Sequence, residues 1–183
     1  LWAASARASD VNILDYGAKG DAVTLNTAAI QRAIDACTAT GGGNVLVPAG
    51  TFISGTLYLK SHVNLLVEAG AMVRGSDRIA DYGAVEGTPA LIIAAGVDHV
   101  SVTGPGTIDG NGRAGNFQKG DNAHGRPMLM FFVNCRDVTI RDIRLQHPAF
   151  WTEKYSGCDG VLVTGITVYS HGNWNNDGID IDS

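Results

Sequence analysis

The sequence predicts an all-β fold, a parallel β-helix whose short strands stack as successive coils of a solenoid, with an N-terminal capping α-helix. Three observations lead to this fold class. Short apolar runs recur along most of the chain, some of them repeat with a constant offset, and one amphipathic helix stands near the N-terminus. Strands that are individually too small to bury a core are typical of solenoid proteins.

The helix is predicted over residues 27–38, with Asn26 as its N-cap and three glycines at 41–43 as its end. Its apolar face consists of Ala29, Ile30, Ala33, Ile34 and Cys37. An open solenoid end exposes apolar side chains and strand edges. We therefore expect this helix to cover one end of the stack.

The strands are predicted as short runs bounded by Gly, Asn, Asp or Pro. They cover residues 45–47, 56–59, 63–67 and 90–94. The composition agrees, because 24 Gly, and 15 Asp against only 3 Glu, favour turns and short strands over helices.

A repeat follows. Residues 134–140 align with residues 157–163 at an offset of 23, and residues 96–102 match the same frame one longer turn earlier. Second short strands follow two of these copies, at 143–145 and 166–168. A β-sandwich also has strands every ~8–12 residues. The constant offset and the scarcity of hairpin signals favour the solenoid.

The composition excludes several classes of protein. With 45% hydrophobic and 17% charged residues the chain can bury a core, so a disordered segment is excluded. No apolar run reaches the ~18 residues of a membrane helix. The net charge is −5 without any Lys/Arg block, which argues against a nucleic-acid partner. The three cysteines indicate neither a disulfide framework nor a zinc site.

Both ends are interpreted as cut. Residues 1–8 are expected to be the tail of a secretory signal peptide, because Ala6-Arg7-Ala8 fits the small-x-small cleavage rule. Residues 9–183 are expected to be the N-terminal part of a single β-helix domain that is truncated at its C-terminus, since the sequence stops within a strand pattern. We expect the last coil to expose apolar surface and strand edges.

The densest polar cluster lies at residues 173–182. If 179–182 is a strand, its isoleucines point inward while Asp180 and Asp182 point outward, about 7 Å apart. Asp177 stands just before them, at a bend with a glycine. Carboxylates in proximity raise one another's pKa, which supplies an acid and a base at one pH. An Asn/Asp turn ladder or a calcium site remains an alternative.

Several motifs then occur in a characteristic order. They are residues 11–21, 26–31, 47–52, 57–61, 104–112, 126–127 and 147–152. Together they resemble the polygalacturonase family, family 28 of the glycoside hydrolases, over nearly the whole chain from residue 11. This resemblance implies a right-handed parallel β-helix that is the catalytic domain of a pectin hydrolase acting with inversion.

The segment 175–180 resembles the family pattern Asn-Thr-Asp-Gly followed by an apolar residue and Asp. The resemblance implies that Asp177 is one of three catalytic carboxylates and helps to activate water. The general acid, a Gly-His-Gly and an Arg-x-Lys are expected further along the chain, so we expect these 183 residues alone to be inactive. Asn176 replaces the usual Thr, which leaves the exact pectic substrate open.

Other residues near Asp177 are candidates for the same site. Trp151 and Trp174 either stack on sugar rings or cover the side of the solenoid, and His147 either binds substrate or is structural. Asn175 either orients Asp177 and contacts substrate or joins an asparagine ladder. Asp180 and Asp182 are expected to surround Asp177 without contacting the substrate themselves.

The predicted partner is a pectic polysaccharide, either galacturonan or rhamnogalacturonan, with no nucleic acid or membrane. The full-length protein is expected to be a secreted or periplasmic monomer that needs no cofactor or metal. Two other readings remain open. One is a pectate-lyase-like enzyme, which requires calcium and a basic proton abstractor, and the other is a non-catalytic carbohydrate-binding β-helix.

Overall fold

Six successive coils of short strands make up the described chain. The computed structural model describes residues 9–113, 117 and 125–182, so the predicted signal-peptide tail at 1–8 lies outside the described residues.

The first three coils hold the helix and nine strands. The first coil consists of β1 (Ser9–Asn12), a 3-10 helix (Ile13–Tyr16), β2 (Asp21–Leu25) and α1 (Thr27–Ala39). The second consists of β3 (Gly43–Val47), β4 (Gly50–Ser54) and β5 (Leu57–Tyr58). The third consists of β6 (Val63–Val67), β7 (Ala71–Gly75), a 3-10 helix (Ile79–Asp81), β8 (Ala84–Val85) and β9 (Thr88–Ala95).

The last three coils hold three strands each. The fourth consists of β10 (Asp98–Thr103), β11 (Thr107–Asp109) and β12 (Met128–Val133). The fifth consists of β13 (Arg136–Arg141), β14 (Arg144–Gln146) and β15 (Glu153–Ser156). The sixth consists of β16 (Asp159–Thr164), β17 (Thr167–Tyr169) and β18 (Ile179–Asp182).

The strands form three parallel sheets along the solenoid. Sheet A joins β1, β3, β6, β10, β13 and β16; sheet B joins β2, β4, β7, β11, β14 and β17; sheet C joins β5, β9, β12, β15 and β18. The short β8 pairs antiparallel with β9. The fold is the predicted right-handed parallel β-helix.

The strand register confirms the predicted repeat. Val138 lies opposite Val161, which is the offset of 23 residues seen in the sequence. Val100 lies opposite Val138, across the longer turn of the preceding coil. The inward side chains of successive coils therefore form continuous columns. One such column in sheet A consists of Val45, Leu65, Val102, Ile140 and Val163. Each fully buried side chain of this kind stabilises the fold by about 1.5–3 kcal/mol.

The helix covers the first coils as expected, and the five side chains of its predicted apolar face are buried. Asn26 is the N-cap residue of α1, as predicted, and its carbonyl oxygen accepts a hydrogen bond from the Ile30 N–H at 2.9 Å. Its side chain makes no capping hydrogen bond to α1, but accepts from the Lys19 N–H at 2.7 Å and donates to the Thr24 carbonyl at 2.7 Å. Asn26 therefore ties the preceding turn together. Within the described residues, no helix is long and apolar enough to cross a membrane.

The sixth coil is only partly covered. Ile179 and Ile181 continue the inward columns of sheet C beyond Glu153 and Tyr155, and they are 46% and 75% exposed. Apolar surface is exposed on this coil, as predicted.

One inward column of sheet C contains a carboxyl group. Glu153 lies in register with Met130 and Ile179 and is completely buried. The Tyr155 hydroxyl donates a hydrogen bond to one of its oxygens at 3.0 Å, while the other oxygen has no partner among the described residues. Burial raises the pKa of Glu153 to about 7, and the Tyr155 hydrogen bond only partly offsets this rise.

This carboxyl makes stability fall with rising pH. The folded state keeps a proton that the unfolded chain releases above its ordinary pKa of 4.5, so stability is lost as the pH rises from there to about 7. We expect Glu153→Gln to stabilise the protein by about 3 kcal/mol at pH 8 and by little at pH 4. Urea unfolding at both pH values tests this. The exposed Glu68→Gln is the control, and equal pH profiles for Glu153→Gln and the parent would contradict it.

Candidate active site

Three loops that lead from sheet B to sheet C stack on one corner of the solenoid. They occupy residues 110–127, 147–152 and 170–178 of coils four, five and six, and the first is described at 110–113, 117 and 125–127. A Cβ atom on Gly112 would lie 2.3 Å from the backbone of Ala149, so this approach requires a glycine. The loops of neighbouring coils are thus in direct contact.

Asp177 lies near the end of the loop of coil six, two residues before β18. Its carbonyl oxygen accepts a hydrogen bond from the Thr152 N–H at 2.8 Å, which ties this bend to coil five. Its side chain is exposed. In β18, Asp180 and Asp182 alternate with the inward isoleucines and pair in register with Lys154 and Ser156 of β15. The structure thus places three carboxylates at the last described strand of sheet C, with Asp177 just before β18 and the other two within it.

A lysine lies beside these carboxylates. The Lys154 Nζ atom is 3.8 Å from Asp182 Oδ2 and 5.0 Å from the ring centre of Trp151. The Asp182 side chain is 65% exposed, and such a pair contributes only ~0–1 kcal/mol. Lys154 can therefore exchange this contact for another anion at little cost.

A buried arginine fastens the loops of coils five and six. Arg126 is 2% exposed, and its Nη1 donates to the carbonyls of Ala149 and Trp174, both at 2.9 Å. Its guanidinium lies 4.4 Å from the ring centre of Trp174 and 5.0 Å from that of Phe150. Burial lowers the pKa of Arg126. Two carbonyls and two aromatic faces therefore stabilise this charge in place of water.

Two asparagines add further ties. The Asn173 amide donates to the Gly112 carbonyl at 2.8 Å, and the Asn176 amide donates to the Pro148 carbonyl at 2.6 Å. The loop before Asp177 is therefore bound to both preceding loops. Asn176, which departs from the family pattern, serves here as an anchor.

The predicted aromatic and amide residues lie on the same loops. Trp151 is half-buried and stacks on Phe150 with ring centres 4.8 Å apart. Trp174 is 39% exposed, with the Arg126 guanidinium over its ring. Asn175 is exposed, with a left-handed backbone φ of 54°. These three residues adjoin Asp177 or the strand next to it.

His147 turns toward sheet B. Its Nδ1 lies 3.2 Å from Asp109 Oδ2, its Nε2 lies 3.1 Å from an Arg113 nitrogen, and its ring meets Tyr169 edge-on. These contacts place it at the start of its loop, next to the outer face of sheet B, whereas Asp177 adjoins sheet C.

The loop anchors are not predicted from the sequence. In the sequence, Arg126 is noted only as part of the Arg126-Pro127 motif. Asn173 and Asn176 lie in a polar segment that is typical of a turn. Their partners lie 23 to 61 residues away, so no local pattern identifies them. Within 9–113, 117 and 125–182, no three His, Cys, Asp or Glu side chains are grouped so that they could hold a metal ion.

Replacing Arg126 should loosen the loop that carries Asp177. We expect Arg126→Met to destabilise the protein by about 1–3 kcal/mol, because buried carbonyls lose their donor. Thermal unfolding and Trp174 fluorescence measure the effect. The exposed Arg136→Met on sheet A is the control, and an Arg126→Met protein with unchanged stability and fluorescence would argue against the clamp.

Similarity to known proteins agrees with this geometry. The model of the glycosyl hydrolases family 28 matches residues 37–183. A probable polygalacturonase of Vitis vinifera is 30% identical over 99% of this chain and 41% of its own length. An exo-poly-alpha-D-galacturonosidase of Dickeya chrysanthemi is 42% identical over 56% of this chain and 19% of its own.

Among solved structures, the family 28 exopolygalacturonase of Yersinia enterocolitica superimposes with a TM-score of 0.83 and 31% identity, over 97% of this chain and 41% of that one. The chain thus spans less than half the length of these relatives. The family match, the β-helix and the order of the motifs together place the chain in the glycosyl hydrolases family 28.

Proposed function

We propose that this chain supplies the first part of a pectin-hydrolysing active site in which Asp177 helps to activate the attacking water. The observation that carries the proposal is the position of Asp177. Its exposed carboxylate stands on a bend that is hydrogen-bonded to Thr152 of the preceding coil, next to Asp180 and Lys154 on the outer face of sheet C. Membership of family 28 supports glycosidic bond cleavage as the reaction.

The proposed substrate is a pectic polysaccharide, either galacturonan or rhamnogalacturonan. The ammonium group of Lys154 suits a uronate carboxylate, because its present partner, Asp182, is exposed and weakly bound. Trp151 and Trp174 offer ring surface for stacking against sugars, and Asn175 presents an exposed amide next to Trp174. His147 would contact only a substrate that extends toward sheet B.

The proposed mechanism is inversion. Asp177 takes a proton from water as the water oxygen bonds to the anomeric carbon, and the glycosidic C–O bond breaks while a second carboxylic acid protonates the leaving oxygen. Inverting enzymes hold these groups about 6.5–9.5 Å apart. Neighbouring coils stack about 4.8 Å apart. A general acid on a further coil, as the resemblance to the family implies, can therefore lie at the required distance from Asp177. Asp180 and Asp182 then set the electrostatic surroundings of Asp177.

We propose that the protein acts as a monomer on the extracellular or periplasmic side. A polymeric substrate has to be met outside the membrane, and Ala6-Arg7-Ala8 matches a signal-peptidase site.

Asp177→Asn in the full-length gene product should lower kcat on polygalacturonate by about 10²–10⁴-fold, with a smaller effect on KM. The reason is that Asn cannot accept the proton from water. Reducing-end release measures kcat, and the exposed Asp159→Asn on sheet A is the control. An active Asp177→Asn enzyme would remove Asp177 from the mechanism.

Two product analyses complete this test. Proton NMR of fresh product should show the inverted anomer, and the 183-residue chain alone should release no reducing ends, because Asp177 is only one of the required carboxylates. A retained anomer would contradict inversion, and turnover by the isolated chain would show that it already holds a sufficient acid. Unsaturated products together with loss of activity in a chelator would indicate a lyase.

A further inference from the structure

A polar pocket lies on the outer face of sheet B, where β7 and β11 end, whereas Asp177 adjoins sheet C. Its volume is about 230 Å³. It is lined by Met72, Arg74, Asp109, Asn111, Arg113 and His147. Arg74 and Asp109 are register neighbours on β7 and β11, with side chains on the opposite face of sheet B from the buried Val73 and Ile108. Sheet C, with Asp180 and Asp182, is a different face of the solenoid.

Two guanidinium groups face this pocket with neutral partners. Arg74 Nη2 donates to Asn111 Oδ1 at 2.7 Å, and its buried Nε has no partner among the described residues. Arg113 Nη2 donates to His147 Nε2 at 3.1 Å. In the described part of the chain, neither arginine forms an ion pair with a carboxylate. Both can therefore still accept an anion.

Asp109, the one carboxylate among the described residues of the pocket, already has hydrogen-bond partners. Asp109 accepts hydrogen bonds from the Asn111 N–H at 2.8 Å and from Gln146 Nε2 at 2.7 Å. Because Arg113 can only donate, His147 Nε2 accepts, and His147 Nδ1 carries the hydrogen that points at Asp109 Oδ2, 3.2 Å away. Among the described residues that line the pocket, two guanidiniums against one carboxylate leave a net positive charge.

We propose that this pocket binds the carboxylate of a single uronic acid unit, with Arg74 and Arg113 as its cationic contacts. A guanidinium matches a carboxylate through paired N–H donors. The volume is below the ~300–1,000 Å³ of drug-sized sites, which suits one sugar unit. The choice of a uronate among anions rests on the proposed function, since both proposed polysaccharides contain galacturonate units.

The pocket would hold a polymer at a second point, separate from the surface around Asp177. A chain bound at both places gains affinity through effective concentration, while a short oligomer can reach only one of them. The structure therefore assigns Arg74 and Arg113 to polymer retention, with no part in bond cleavage.

Calorimetry with digalacturonate tests this on the full-length Asp177→Asn protein, in which turnover should be about 10²–10⁴-fold slower. We expect two classes of site, and Arg74→Gln/Arg113→Gln should weaken one of them by about tenfold or more while leaving the other unchanged. The Arg136→Gln variant, an exposed arginine of sheet A, controls for the loss of charge. Arg74→Lys/Arg113→Lys keeps the charge but not the planar fork and should weaken the same class less, which covers the case in which the Gln variant does not fold.

Kinetics give a second readout. In the otherwise unchanged full-length protein, Arg74→Gln/Arg113→Gln should raise KM for polygalacturonate and leave kcat on a short oligomer as it was. If the parent protein turns over substrate but has a single class of site whose affinity does not depend on either arginine, the pocket proposal is wrong and the proposed function stands. Two classes of site without any turnover by the parent protein would support the pocket while the proposed function fails.

Two probes separate the ligand classes. Neutral digalactose should not bind at the arginine-dependent site, because it lacks the carboxylate. Inorganic phosphate should compete only weakly. If phosphate binds there and digalacturonate does not, the pocket is a general oxyanion site and the uronate assignment is wrong.

Discussion

The parallel register between successive coils is the constraint on which the rest of this structure depends. Each strand pairs with the strand one coil away so that inward side chains meet in columns, as Val102 does with Leu65 and Ile140. A slip of one residue would turn a whole strand's apolar side chains outward. The columns accept even a buried carboxyl group at Glu153, because Tyr155 binds it and its raised pKa favours the neutral form.

This register leaves the corners of the solenoid free to vary. The loops from sheet B to sheet C differ in length, yet each begins and ends at a strand whose position is set by the coil below. These loops are held to one another by side chains that reach from one loop to the next. Arg126 makes several of these contacts, since one buried guanidinium binds carbonyls on two loops and lies against two aromatic rings. The candidate site is thus a loop surface supported by a regular stack.

Charge is distributed unevenly around this acidic chain. Carboxylates and Lys154 lie together at the last described strand of sheet C, while Arg74 and Arg113 lie together on the outer face of sheet B. The proposed polyanionic substrate would meet positive groups at both places, although the protein as a whole is negative. Local pairing, rather than net charge, decides where an anion can bind.

The sequence by itself determined the fold class, the 23-residue offset, the buried face of α1 and the alternation at 179–182, because each depends on a local period. Through the family motif it also pointed to Asp177. The tertiary structure alone decided that His147 faces Asp109, 38 residues away, and that Arg126 holds Trp174, 48 residues away. The physical reason is that contacts between loops of different coils depend on loop length and side-chain direction, which no local pattern encodes.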